Sequence, residues 1–135
     1  MVMLETMASK GNRLIALATG EDTNYNLVGI LCLKDEVRKE AIEGLKLVKN
    51  AHINTIMITG DNKNTAQAIA EELGMIEYDS IIITSDELNR LSDEEIKKIF
   101  PKLKVVARAL PKDKSRLVKI ARELDLVVGM TGDGV

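Results

Sequence analysis

Three short clusters in this chain carry residue types suited to handling a phosphoryl group and a hard cation. The first is Met130-Thr131-Gly132-Asp133-Gly134-Val135, where a carboxylate stands between two glycines after an apolar run. A strand-end Asp flanked by Gly suits Mg²⁺, because the ion needs hard oxygen ligands and a backbone that permits close approach. The same Gly-Asp-Gly is also an ordinary turn sequence. The second cluster is Thr59-Gly60-Asp61-Asn62. A hydroxyl and backbone N–H groups at the opening of a helix can hold a phosphoryl oxygen, and Asp61 or Asn62 could equally be a plain helix cap. The third is Lys112, Lys114 and Arg116, in the first turns of a helix that Pro111 can open. Cations there oppose the helix dipole at a cost of about 0.3 kcal/mol or more. Either an anion sits nearby or the side chains point to solvent.

Other chemistries find no residues to run on. The chain has no GxxxxGK[ST] and no complete GxGxxG, so neither a Walker-type site nor a dinucleotide fingerprint is present. Its one histidine, His52, lies in a polar connection and reads as a surface residue at a helix end, so no Ser/His/Asp set can form. The one cysteine, Cys32, sits in an apolar run as a small hydrophobe, in keeping with a reducing compartment. A net charge of −2 gives no footprint for nucleic acid or an anionic membrane surface. No apolar run approaches the roughly 18 residues that span a bilayer, and no signal peptide is visible. Aromatics are 2% of the 135 residues, so the core of what is one domain by length must come from Ile, Leu, Val, Ala and Met.

The elements that must position the clusters can be read from spacing. Residues 13–19 (RLIALAT) and 27–33 (LVGILCL) read as two strands of a hairpin joined by the polar stretch 20–26. Val37, Ala41, Leu45 and Val48 recur at helical spacing. Residues 55–58 (TIMI) form a short apolar strand, followed by a helix with Ala66, Ile69, Ala70 and Leu73 on one face, stopped at Gly74. Residues 81–83 are a strand, and Ser92-Asp93-Glu94-Glu95 is a capping box for a helix ending near Pro101. Residues 105–107 are a strand; Leu117, Ile120, Ala121 and Leu124 are the buried face of the helix that follows; residues 126–130 read as the last strand. Short apolar strands alternating with amphipathic helices predict an α/β fold, a parallel sheet with helices on both faces. Ligands in such folds bind at the carboxyl ends of the strands, where Thr59-Gly60-Asp61, Arg108 and Thr131-Gly132-Asp133 all fall.

Taken jointly, these segments resemble the cytoplasmic ATP-hydrolysing head of P-type cation-transporting ATPases, which belong to the haloacid-dehalogenase-like superfamily. The resemblance rests on Met57-Ile58-Thr59-Gly60-Asp61-Asn62 followed by Thr65-Ala66, on Ala107-Arg108 with Pro111-Lys112-Asp113-Lys114, on residues 130–135, and on residues 11–18. It implies a Rossmann-like sheet, incomplete and preceded by a β-hairpin. Residues 1–34 would be the last strands of a nucleotide-binding domain and residues 35–135 part of a phosphorylation domain. The implied roles are specific. Thr59, Gly60 and Asp61 position the transferred phosphoryl group and its Mg²⁺; Lys114 neutralises phosphate charge; Asp133 coordinates Mg²⁺. Arg13, Asp35, Arg38 and Arg108 serve the nucleotide, ATP.

Departures from the family pattern shape the expectation. The interdomain hinge, usually Asp-Pro-Pro-Arg, here reads Asp35-Glu36-Val37-Arg38. The Asp-Lys-Thr-Gly-Thr segment that carries the phosphorylated aspartate is not in the sequence, nor is a Lys-Gly-Ala adenine segment. The reading is therefore a segment of an ATP-driven cation pump, inactive by itself, soluble, lying on the cytoplasmic side of a membrane protein whose absent helices would carry the cation. Residues 84–102 are long for a heavy-metal pump and look more like the calcium-type branch. A strand left without its neighbour would favour self-association. The alternatives are a phosphate- or nucleotide-binding module without catalysis and a free-standing phosphatase of the same superfamily.

Overall fold

Apolar alternation becomes a strand only where the chain supplies a neighbour. The computed structural model describes residues 12–21, 23–33 and 37–132. Its elements are β1 (Arg13–Glu21), β2 (Asn24–Leu33), α1 (Lys39–Asn50), β3 (Met57–Ile58), α2 (Lys63–Glu72), β4 (Ile81–Thr84), α3 (Ser85–Arg90), α4 (Asp93–Ile99), a 3₁₀ turn (Phe100–Lys102), β5 (Leu103–Ala107) and α5 (Pro111–Glu123). They fall into two compact units. One holds the described residues up to Ile53 together with Asn64–Met75; the other holds Asn54–Lys63 and the described residues from Ile76 onward.

In the first unit, β1 and β2 pair antiparallel as the expected hairpin, but both strands run further than expected. Gly20, Glu21, Asn24, Tyr25 and Asn26, all inside the polar stretch, continue the ladder through Thr19–Asn26, Gly20–Tyr25 and Glu21–Asn24 pairs, so the ladder is tight to its end. Polarity here marks an exposed ribbon and not a loop. Gly20 is required by that tightness, since a Cβ there would lie 1.9 Å from the Asn24 carbonyl oxygen. The register shifts between Leu17 and Ala18, where Val28 is the extra residue of a bulge. Helix α1 forms at the expected spacing, yet none of its residues is buried. His52 adopts φ 57°, with its N–H on Lys49 O and the Ile53 N–H on Val48 O, closing α1 in a Schellman motif. Helix α2 buries Ala66 and Ala70, and Gly74 at φ 70° ends it in the same way.

The second unit carries the parallel sheet. β5 pairs with β3 on one side and β4 on the other, giving the order β3-β5-β4. Leu103, Val105, Val106 and Ala107 are all buried, so both faces of the central strand are covered. Leu88, Ile96, Phe100, Leu103, Val106, Leu117, Ile120 and Ala121 form the core, with Ile58 and Ile83 packed against it. Helix α4 opens with the expected capping box: Glu95 N–H donates to Ser92 Oγ, and Ser92 N–H donates to the Glu95 carboxylate at 2.8 Å. Helix α3 is an addition to the elements read from spacing. Its start, Thr84-Ser85-Asp86-Glu87, is a second capping box, with Thr84 N–H donating to Glu87 Oε2 at 2.6 Å.

One expectation is corrected here. Residues 126–130 are not a strand; Leu126, Val127 and Met130 are exposed, Val127 fully. An apolar run states what a strand needs, while the ladder itself needs a paired backbone that no described residue provides. Among the described residues, no helix is long and apolar enough to cross a membrane.

Candidate functional site

The carboxyl ends of β3 and β5 lie side by side because the strands are parallel neighbours. Their pairing carries on past the strands: Thr59 N–H donates to Val106 O at 3.0 Å, Ala109 N–H to Thr59 O at 2.9 Å, and Arg108 N–H to Asp61 O at 2.9 Å. Backbone bonds therefore bring Thr59-Gly60-Asp61 and Arg108, two of the three strand-end positions read from the sequence, to one edge. Arg108 is exposed and adopts φ 53°, a left-handed conformation uncommon for a residue with a side chain and costing on the order of 1 kcal/mol. The surrounding bonds hold it there. Thr59 Oγ1 donates to Asp61 Oδ2 at 2.9 Å and accepts from Asp61 N–H at 3.2 Å, which closes the loop on itself.

Gly60 is exposed, its φ is not positive, and a Cβ placed on it would meet nothing within 4 Å. The folded chain itself makes no steric demand for glycine. Gly60→Ala should accordingly leave the unfolding free energy within about 0.5 kcal/mol of the parent, measured by urea denaturation. A larger loss would mean that the loop carries strain.

Three cations are expected from sequence at the start of the helix after β5, and the structure separates them. Arg116 is a clamp: Nη1 donates to Leu88 O at 3.0 Å, Nη2 to Leu91 O at 2.7 Å, and Nε and Nη2 to Asp93 Oδ1 at 2.9 and 2.7 Å. Lys112 and Lys114 are exposed, and Lys114 lines an open groove of about 540 Å³ with Val118, Arg122 and Met130. Thr59 and Asp61 do not line that groove.

Sequence reasoning misses Asp113. It is fully buried, accepts from Ser85 Oγ at 2.6 Å, Leu110 N–H at 2.7 Å and Asn89 Nδ2 at 3.1 Å, and so joins α5 to α3. Burial, the largest single influence, pushes its carboxyl up. The Ser85 hydroxyl, the Leu110 N–H, the Asn89 amide and the charge of Lys112 outweigh it, leaving the carboxyl below its ordinary value. The Thr84 N–H lowers Glu87, the Arg116 guanidinium lowers Asp93, and the Ser92 N–H lowers Glu95. Groups whose folded values lie below their unfolded ones stabilise the fold above the ordinary carboxylate range and lose that contribution as pH falls through the folded values. The melting temperature should thus hold from pH 7 to about 5 and fall below about pH 4. A melting temperature that holds or rises down to pH 3 would refute this account.

The remaining expected site residues are distributed as follows. Arg13 is the first residue of β1, paired with Leu33, and Arg38 is exposed at the N-cap of α1; both belong to the first unit. Asp35 and Asp133 lie outside the described residues. Among the described residues no three of His, Cys, Asp and Glu gather as a metal cluster. The Thr59 hydroxyl and the Asp61 carboxylate offer oxygen donors only, which fits a hard cation such as Mg²⁺ and not a soft one.

The chain is similar to known proteins over most of its length. The family model described as haloacid dehalogenase-like hydrolase matches residues 3–135. The chain is 41% identical over 114 residues, 84% of its length, to a probable plasma-membrane-type calcium-transporting ATPase 6 of Oryza sativa subsp. japonica. It is 37% identical over 142 residues, 98% of its length, to the plasma-membrane-type calcium-transporting ATPase 4 of Arabidopsis thaliana. With the calcium-transporting ATPase 1 of Lactococcus lactis it shares 36% identity over 119 residues, 88% of its length. The chain spans 11% to 14% of the length of these relatives.

Proposed function

Because the chain belongs to the haloacid dehalogenase-like hydrolases, we propose that it is the phosphate-handling segment of an ATP-driven cation pump, with calcium the favoured cargo. In this reading, residues 1–34 end a nucleotide-binding domain, and residues 35–135 are part of the phosphorylation domain. The intact protein would sit in a membrane with this segment on the cytoplasmic side. ATP would phosphorylate an aspartate that lies elsewhere in the protein.

The observation that carries the proposal is the backbone pairing of Thr59 and Asp61 with Ala109 and Arg108 at one sheet edge. Phosphoryl transfer is governed by positioning and charge neutralisation, and this edge offers both. The Thr59 hydroxyl can turn from Asp61 to a phosphoryl oxygen. Gly60 leaves room for that oxygen to approach the backbone. Arg108 and Lys114 supply positive charge, and Arg13, Asp35 and Arg38 serve the nucleotide. Asp133 and Asp61 are the carboxylates that would hold Mg²⁺, which when bound neutralises phosphate charge. The names of relatives such as those from rice, Arabidopsis and Lactococcus favour calcium as the transported ion. So does the long segment 84–102, which folds as α3, α4 and the 3₁₀ turn.

The test uses the intact protein in sealed membrane vesicles. ATP-dependent calcium uptake together with an acid-stable, hydroxylamine-sensitive phosphoenzyme is expected. Uptake of no cation and the absence of a phosphoenzyme would overturn the proposal. The 135-residue chain by itself should turn over no ATP. In the described residues β3 pairs on one side only, and an open edge invites pairing. The isolated chain is therefore expected to self-associate; a single monomeric species in sedimentation at about 100 µM would exclude that.

A further inference from the structure

We propose that Asp113 is a positioning residue for Lys114, setting the rotation of α5 and with it the direction in which the lysine is presented. This rests on the reading of Lys114 as the phosphate-neutralising cation. Leu110, the N-cap of α5, offers no side-chain cap, and Pro111 offers no N–H. The helix start is instead held from inside. Asp113 Oδ2 accepts from the N-cap N–H and from Ser85 Oγ, while Oδ1 accepts from Asn89 Nδ2. Asn89 also donates to Ser85 O at 2.7 Å, so the two partners are tied to each other within the first turn of α3. No buried side-chain polar atom among the described residues lacks a partner.

Helical geometry turns this clamp into an orientation. Asp113, Arg116, Leu117 and Ile120 are spaced i, i+3, i+4 and i+7, so they share one face of α5. Asp113 and Arg116 both grip α3, the first through the Ser85 and Asn89 side chains and the second through Leu88 O and, at its C-cap, Leu91 O. With that face fixed inward, Lys114 lies about 100° round the helix from Asp113 and is exposed. Two anchors one turn apart leave the helix no freedom to roll. Because Ser85 directly follows β4, the same clamp ties α5 to the carboxyl edge of the sheet, where Thr59 and Arg108 stand.

The experiment is a double-mutant cycle in the intact protein, reading the rate of phosphoenzyme formation from ATP. Lys114→Ala sets the reference. Asp113→Asn puts an amide where two donors converge and should slow formation about 10-fold, and Ser85→Ala should slow it about threefold. The double variant D113N/K114A should match K114A within twofold, because a misplaced lysine and a missing one share the same loss. If the two losses multiply, Asp113 acts on the fold in general and the inference fails. An unchanged rate in D113N refutes it as well. An unchanged rate in K114A would overturn the underlying reading of the site, a separate failure. Should D113N not fold, S85A and S85A/K114A decide between the same two outcomes by the same comparison.

Discussion

Replacing Ile120 by alanine is expected to lower the unfolding free energy by about 3 kcal/mol. Ile120 is fully buried on α5 and belongs to the cluster that joins α3, α4, α5 and β5. Its removal takes away apolar burial and leaves a cavity among side chains fixed by the sheet on one side and by Leu88 and Ile96 on the others. Collapse into the cavity is resisted, since α5 is pinned to α3 through both Asp113 and Arg116. Urea denaturation of the 135-residue chain, followed by circular dichroism, should show a lower midpoint with an unchanged slope. Val127→Ala is the control. It is an equally apolar residue, but fully exposed, and should move the unfolding free energy by no more than about 0.5 kcal/mol. Equal losses in the two variants would mean that the core is not where the structure places it.

The contrast between Ile120 and Val127 also shows where sequence stops informing. Periodicity reveals the helices because a helix satisfies its own backbone: Leu117, Ile120 and Ala121 repeat on one face and are buried as expected. Capping boxes are local for the same reason. The one at Ser92 is legible, while that at Thr84, written in the same residue types, is masked by the strand that runs into it. A strand depends on residues far away in sequence. Residues 126–130 are as apolar as β5, yet lack a ladder, whereas the polar residues of 20–26 pair because their partners are in reach.

The site follows the same division. Thr59-Gly60-Asp61 and Arg108 are legible as strand-end residues, and the parallel pairing of β3 with β5 puts them together. Asp113 looks, in sequence, like one charge in a charged run. Its burial depends on Ser85 and Asn89, 28 and 24 residues away, which no local pattern announces. Arg116 misleads in the opposite sense: its spacing suggests an anion site, and it serves backbone carbonyls of α3 instead.

Lys114→Ala is expected to slow phosphoenzyme formation in the intact protein by roughly 10²- to 10³-fold, the magnitude typical of removing one group that stabilises transition-state charge. Folding should be unaffected, because Lys114 is exposed and makes no ion pair or hydrogen bond among the described residues. Its position is otherwise unfavourable, in the second turn of a helix whose positive end repels it. Lys119 and Lys97, by contrast, pair with Glu123, and Lys102 pairs with Asp79. A cation kept unpaired near a helix N-terminus lowers stability slightly, and the proposed role gives it an anion to attract. Arginine at the same place would keep the charge but bring a planar fork in place of a compact ammonium. Lys114→Arg should therefore recover only part of the rate, while Lys114→Gln should behave as alanine does. Full activity in Lys114→Gln would show that charge at this position is not used, and the proposed role of the whole edge would fall with it.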